Sequence, residues 1–223
     1  MAYWKLEEAS GTRVDSSGAG INLAPTAAPG NSAGKIGNAL STVAASSQYV
    51  GLTNNAALKW GGGDFSSCFW VKYTTIPAFP PTISTWASVD NGTGFQLTLA
   101  GARGGNDIIF SVGNAIASAV STAIKAGIPS TGVWYHVVGL YTNSTKKASI
   151  YVNGVAGTDG GALPSDPTTA NVDFALGGSL GVGGFTDGLT DEVGKWSRKL
   201  TTTEIATLYN GGAGVTWPFA GLP

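Results

Sequence analysis

The chain has 223 residues, with 12 basic and 13 acidic side chains, 11% charged and 43% hydrophobic residues, and one cysteine. Balanced, sparse charge without a basic block argues against a nucleic-acid surface or a polybasic membrane contact. The apolar content is too high for disorder, the length suits one all-β domain, and a single cysteine, Cys68, leaves no disulfide framework.

In chain order, Tyr3-Trp4-Lys5-Leu6 reads as a short strand running into a turn at Glu7-Glu8-Ala9-Ser10-Gly11. This N-terminus has no apolar segment of the secretory type, and no apolar run is long enough to span a bilayer. The expectation is a chain supplied without its export signal, or one released by another route such as lysis with virus particles. Residues 11–38, rich in Gly, Ala, Ser, Asn and Pro, predict a long surface loop. Gly37-Asn38-Ala39-Leu40 and Tyr49-Val50-Gly51-Leu52 predict two strands around a polar turn.

Residues 65–73 are the clearest central strand. Phe65, Phe69, Val71 and Tyr73 point one way while Cys68 and Trp70 point the other, so both faces are apolar and burial between layers follows. Pro77, Pro80 and Pro81 then forbid regular pairing. Residues 95–99 and 108–112 alternate at period two and predict a hairpin across the glycine-rich 100–106. Residues 113–132 are weakly patterned strand and loop. Residues 133–141 and 147–152 form the best hairpin, and Asn153-Gly154 announces a tight reversal directly after it. Strands near 174–176 and 189–196 bring the total to about ten to fourteen, the number of a sandwich or jelly roll.

One helix is predicted, starting at Thr201. Thr201 and Glu204 form a capping box, Leu200 and Ile205 a hydrophobic staple, and Asn210-Gly211-Gly212 supplies a left-handed terminator. At two to three turns it is too short to stand alone and must pack on a sheet through Ile205, Leu208 and Tyr209. In the tail, residues 215–223, Trp217 and Phe219 either fold back on the sandwich or attach to a partner.

Six segments in this order resemble a LamG-like domain of the concanavalin A type: the opening Tyr3-Trp4-Lys5-Leu6 with Asp15-Ser16-Ser17-Gly18, then Gly37-Asn38-Ala39-Leu40 with Tyr49-Val50, residues 65–72, Trp134-Tyr135-His136-Val137-Val138, Tyr151-Val152-Asn153-Gly154, and Asp191-Glu192-Val193 with Leu200, Glu204-Ile205 and Leu208-Tyr209-Asn210. The resemblance implies an all-β, antiparallel two-sheet jelly-roll sandwich with one short C-terminal helix, as a single domain over residues 1–223. It also implies an adhesion or recognition role toward glycan or protein.

Glycosidases of this fold carry Glu-x-Asp-x-x-Glu on one strand, because the chemistry needs an acid and a nucleophile on the same face. Asp187, Asp191 and Glu192 come nearest, and nothing acidic lies at 193–195, so no catalysis is expected. His136, the one histidine, reads as a structural residue of the fold. Exposed aromatics beside polar groups would bind sugar; Trp60, Trp86, Asp90, Asn91 and Arg103, all in or near loops, are the candidates. Asp90-Asn91 sits where pentraxins place a calcium pair, but the acidic loop that completes such a site has no counterpart at 177–181. One structural calcium ion held by Glu8, Asp15 and Asp191 is the cofactor the sequence leaves room for; Arg13, Lys195 or backbone donors could satisfy those carboxylates equally well. The reading is thus a non-catalytic jelly roll displayed on a larger assembly, a virion surface or fibre above all, contacting glycan or a host surface and open to homo-oligomerisation. A bacterial carbohydrate-binding module is the alternative, and a glycoside hydrolase a distant one.

Overall fold

The computed structural model describes residues 1–53, 55–58, 62–76, 81–84, 94–99, 107–113, 119–127, 130–167, 173–178 and 184–219, the side chains of 57, 81–84 and 94–99 excepted. Two antiparallel sheets stack face to face. The larger holds β1 (Ala2–Trp4), β3 (Gly30–Ala33), β4 (Asn38–Thr42), β6 (Phe65–Tyr73), β11 (Trp134–Thr142), β12 (Lys147–Val152), β13 (Val155–Ala156) and β15 (Gly188–Trp196). Its order is β13-β12-β11-β6-β15-β4-β3, with β1 also on β15. The smaller holds β2 (Ala24–Thr26), β5 (Tyr49–Leu52), β7 (Pro81–Ser84), β8 (Gly94–Leu99), β9 (Ile108–Gly113), β10 (Val120–Lys125) and β14 (Phe174–Leu176), ordered β10-β9-β8-β7-β14-β5-β2.

The strand at 65–73 lies where its two apolar faces demand, in the middle of the larger sheet between β11 and β15. Phe65, Phe69, Val71 and Tyr73 enter the core between the sheets, together with Trp4, Leu40, Phe110, Val137, Phe174 and Val193. Cys68 joins a second cluster on the outer face of that sheet, as a buried free thiol that desolvation pushes up. The hairpins at 95–112 and 134–152 pair as their alternation predicts. Asn153 and Gly154 both adopt positive φ, 51° and 76°, the backbone that a two-residue reversal between β12 and β13 requires.

Two expectations are corrected. Residues 11–38 are not all loop: they contain β2 and β3, and an isolated bridge joins Arg13 to Leu23. Both strands lie at sheet edges and are three and four residues long; β2 contains Pro25, whose missing N–H an edge tolerates, so neither leaves a periodic apolar signature. The strands at 38–42 and 49–52, expected around one turn, fall in opposite sheets, so the segment between them crosses the sandwich. The described strands number fifteen, one above the expected range, because such short edge pieces are included.

The helix α1 spans Thr202–Tyr209 with Thr201 as its N-cap. Both halves of the capping box are made: Thr201 Oγ1 accepts from the Glu204 N–H at 3.2 Å, and Glu204 Oε2 accepts from the Thr201 N–H at 2.7 Å. Asn210 itself takes the left-handed position, at φ 47°. Ser66 Oγ anchors the approach to the helix, donating to Arg198 O and accepting from Leu200 N–H. Leu200, Ile205 and Leu208 close over Tyr3, Cys68, Val138, Leu140 and Trp196, and the tail continues the cover: the Phe219 ring meets Tyr3 edge-on at 4.9 Å. The aromatic tail residues are thus engaged within the domain. Thr201→Ala should lower stability by about 0.5–2 kcal/mol through the lost cap, read as a shifted urea midpoint with an unchanged slope. An unmoved midpoint would show that the cap contributes nothing.

Candidate functional site

Trp60, Trp86, Asp90, Asn91 and Arg103 all lie outside the described residues. The three calcium candidates are described, and each is bound to a different stretch of backbone. Glu8 Oε1 accepts from Val14 N–H at 2.8 Å. Asp15 accepts from the N–H groups of Tyr3, Ser17 and Ile21 and from the Ser17 hydroxyl. Burial pushes its carboxyl up, yet those donors hold it below the ordinary range. Asp191 Oδ2 accepts from Lys35 N–H at 2.8 Å and Ile36 N–H at 3.0 Å. Arg13 donates to the carbonyls of Gly11, Pro29 and Gly30. Among the described residues no group of three or more His, Cys, Asp or Glu is arranged to hold a metal ion. Each carboxylate thus takes its donors from a separate stretch of backbone, while Glu8 Oε2 and Asp191 Oδ1 are buried with no hydrogen-bond partner.

Asp191 and Glu192 sit at a β-bulge of β15, where the register shifts between Asp191 and Gly194 and Glu192 takes φ 49°. Both are sealed in, 0% and 2% exposed. Burial pushes Asp191 up to about 8 and Glu192 up to about 6. Glu192 Oε2 accepts from the Tyr3 hydroxyl at 2.5 Å, while Thr216 lies beside the carboxyl without completing a second hydrogen bond. Two carboxyls closed off beneath the tail and the 34–38 turn cannot flank a glycosidic bond. His136 is 2% exposed, packed between Trp70 at 5.1 Å and Tyr209 at 6.0 Å, and burial pushes it down to about 3, so it stays neutral as a structural residue.

The two faces of the sandwich are finished differently. The apolar clusters of the described residues lie between the sheets and on the outer face of the larger sheet. On the smaller sheet, Phe110, Val112, Ala123, Val50, Phe174 and Leu176 point into the core, so their strand neighbours point out. Strand register aligns a row of Cα positions across the sheet: Thr122 opposite Ser111, Ser111 opposite Gln96, Gln96 opposite Ser84, Ser84 opposite Ala175, Ala175 opposite Gly51 and Gly51 opposite Ala24. The row is small or polar throughout and carries no charge. The hydroxyls of Ser111 and Thr122 share a hydrogen bond of 3.1 Å.

An aromatic pair stands at one end. A Cβ on Gly51 would lie 2.7 Å from Phe174 O and 3.4 Å from the Tyr49 ring, so glycine lets the ring approach the sheet there. Phe185 stacks on Tyr49 at 6.1 Å with an interplanar angle of 20°. Tyr49, Phe185 and Thr122 are half-buried, Ser111 and Ala175 form a buried floor, and Ala24 is exposed. With strands about 4.8 Å apart, Tyr49 to Thr122 spans about 24 Å. This is the length of an oligosaccharide, not of one sugar.

Residues 44–206 match the family model of the concanavalin A-like lectin/glucanases superfamily. No curated protein matches the chain. Among solved structures, the binding domain of Paraclostridial Mosquitocidal Protein 1 is similar over 95% of this chain and 52% of its own, at 14% identity and a TM-score of 0.74. The binding domain of Botulinum Neurotoxin DC in complex with SialylT is similar over 94% of this chain and 50% of its own, at 15% identity and a TM-score of 0.66. Domain 4 of AbnA, a GH43 extracellular arabinanase from Geobacillus stearothermophilus, in complex with arabinotriose, is similar over 93% of this chain and 100% of its own, at 19% identity and a TM-score of 0.64. The chain thus spans about half the length of the two toxin binding domains. At these identities the likeness is one of fold.

Proposed function

The chain belongs to the concanavalin A-like lectin/glucanases superfamily, and from that premise we propose that it is a non-catalytic glycan-recognition domain that binds on the outer face of its smaller sheet. The observation that carries this reading is the Tyr49 ring beside Gly51, at the end of an uncharged row of Ser, Thr and Gln positions. An aromatic face takes the C–H face of a sugar while hydroxyl groups such as those of Ser111 and Thr122 take its hydroxyls. Support comes from two similar folds, one solved with arabinotriose and one with SialylT. An uncharged row suits neutral sugars. Display on a larger assembly such as a virus particle is the finer proposal. Low net charge and short edge strands, among them Pro25 in β2, favour crowding on a surface without edge-to-edge pairing.

Titration against neutral arabino- and gluco-oligosaccharides and a sialylated glycan tests the main reading. The expected result is binding of a neutral oligosaccharide with no released product. Tyr49→Ala should weaken that binding about tenfold, the worth of one aromatic contact, and leave the circular dichroism spectrum unchanged. Binding that ignores Tyr49→Ala, or no binding to any glycan, would overturn it.

A further inference from the structure

The tail after α1 crosses the outer face of the larger sheet, opposite the face that carries the polar row. Its start is tied to the helix end: Asn210 Nδ2 donates to Gly214 O at 3.0 Å, and Gly214 N–H donates to Tyr209 O at 3.1 Å. Beyond Gly214 the tail holds on through rings. Trp217 lies 6.2 Å from Tyr3, and Phe219 lies 4.9 Å from Tyr3 and 6.3 Å from Trp196. Residues 215–217 and 219 are themselves only half-buried. Gly211, Gly212 and Gly214 take positive φ, and nothing lies within 4 Å of a Cβ placed on Gly211, so a hinge precedes the tail.

Beneath the tail is a carboxyl with an incomplete set of partners. Glu192 Oε2 accepts from the Tyr3 hydroxyl, but Glu192 Oε1 and the Thr216 Oγ1 of the tail are both buried with no hydrogen-bond partner. Asp191, the next carboxyl along the bulge, lies under the 34–38 turn, and its Oδ1 also has none. Turn and tail meet over the pair: a Cβ on Gly214 would lie 3.2 Å from Ile36 Cδ1 and 3.1 Å from Trp70 Nε1. The titratable groups facing Glu192 are Tyr3, Lys5 and Glu7 of the N-terminal segment, Cys68 of β6 and Asp191 of its own strand. The Lys35 ammonium of the turn sits over the Trp70 ring at 4.7 Å, and His136 packs against that ring. Lys5 and the hydroxyls of Tyr3 and Thr216 favour the charged form of Glu192, and burial outweighs them.

We propose that the tail is a latch held by the proton on Glu192: ionisation of that carboxyl releases residues 215–219 and uncovers the rings of Tyr3 and Trp196. A carboxylate under an apolar cover, with one oxygen unpartnered and a second carboxyl beside it, is costly, and lifting the tail returns it to water. The neutral carboxyl instead has an O–H to offer, which Thr216 Oγ1 can accept. Below about 4.5 both the closed and the open tail hold the proton, so pH has no effect. Between about 4.5 and 6 the closed form keeps a proton that the open form has released, so closure weakens as pH rises. Above that both forms are ionised and the effect levels off. The inference is independent of glycan binding.

Hydrogen exchange of the folded chain, read by mass spectrometry on peptides covering 213–219 and 65–73, tests the latch. With intrinsic exchange rates divided out, protection of the tail should fall about tenfold between pH 4.5 and 7, without a matching fall in the central strand. Glu192→Gln keeps an oxygen for the Tyr3 hydroxyl and has nothing to ionise, so its tail should stay equally protected across that range. Phe219→Ala should lower protection of the tail at every pH and leave the slope in place. Level protection in the wild type, a slope that persists in Glu192→Gln, a fall shared equally by 65–73, or a Phe219→Ala tail as well protected as the wild type would each overturn the proposal.

Discussion

Trp4→Ala is expected to cost about 3–5 kcal/mol of folding stability, the range for truncating a large buried aromatic. Trp4 is 0% exposed and joins the two sheets: it stands on β1 of the larger sheet and stacks on Phe174 of β14, in the smaller one, at 5.2 Å and 24°. Its indole N–H also donates to Ile21 O at 2.7 Å. Alanine would leave a cavity and a buried carbonyl without its donor, two costs that add. Against a total stability of about 5–15 kcal/mol such a loss is severe. The check is a urea denaturation curve, with the midpoint lowered and the slope unchanged. Trp4→Phe keeps a ring on Phe174 and loses only bulk and the hydrogen bond, so it should fall between. A loss below about 1 kcal/mol for Trp4→Ala would mean that the core relaxes around the gap. Since Ala175 of the polar row sits on β14 beside Phe174, glycan binding by Trp4→Ala should be lost only in step with unfolding. Tyr49→Ala should instead weaken binding about tenfold while staying folded.

What could be read from the sequence is what local chemistry dictates. The central strand at 65–73, the 134–152 hairpin with its Asn153-Gly154 reversal, and the helix start at Thr201 each depend on residues a few positions apart. The concanavalin A-type fold followed from their order, and the family match bears it out. The polar row could not be read, because its central contacts join strands far apart in sequence: Ser84 meets Ala175, and Ala175 meets Gly51. Alternation alone says that Ser111 opposes Phe110 and Val112; it does not say which strand lies beside it. Tyr49 was in view as part of a strand, but only the close approach at Gly51 marks its ring as a platform. The surroundings of the carboxylates were hidden for a related reason. Glu8, Asp15 and Asp191 read as candidate metal ligands, and the backbone N–H groups that reach them cannot be read from the sequence: those of Lys35 and Ile36 come to Asp191 from some 155 positions away.

Between pH 6.5 and 8 the protein should lose about 1 kcal/mol of stability, an unusual direction that follows from Asp191. Its carboxyl ionises near 3.8 when unfolded and is pushed up to about 8 by burial in the fold. Through that window the folded state holds a proton that the unfolded state has released, so stability falls as pH rises, by about 1.4 kcal/mol per pH unit at first and half as steeply by pH 8. Glu192, pushed from 4.5 up to about 6, adds the same sign over a lower and narrower range. His136 opposes both: unfolded it takes a proton near 6.5, while folded it is pushed down to about 3, so stability falls as pH drops below about 6.5. The slopes of Asp191 and His136 therefore cancel between about 4 and 6.5, and Asp191 is left to act above that. Lys195, pushed from 10.5 down to about 8, begins to oppose Asp191 as pH nears 8, because the unfolded chain keeps a proton that the fold starts to release, and it raises stability further on the alkaline side. Glu204 is held down to about 2 by its hydrogen bonds from Arg198 and affects only acid stability, below about 4.5. Urea midpoints at pH 6.5, 7.2 and 8 check this directly. Asp191→Asn should flatten the profile, because the amide oxygen can still accept from Lys35 and Ile36 and nothing remains to ionise. A wild-type midpoint that stays level or rises across the window, or an Asp191→Asn profile as steep as the wild type, would place the titration elsewhere.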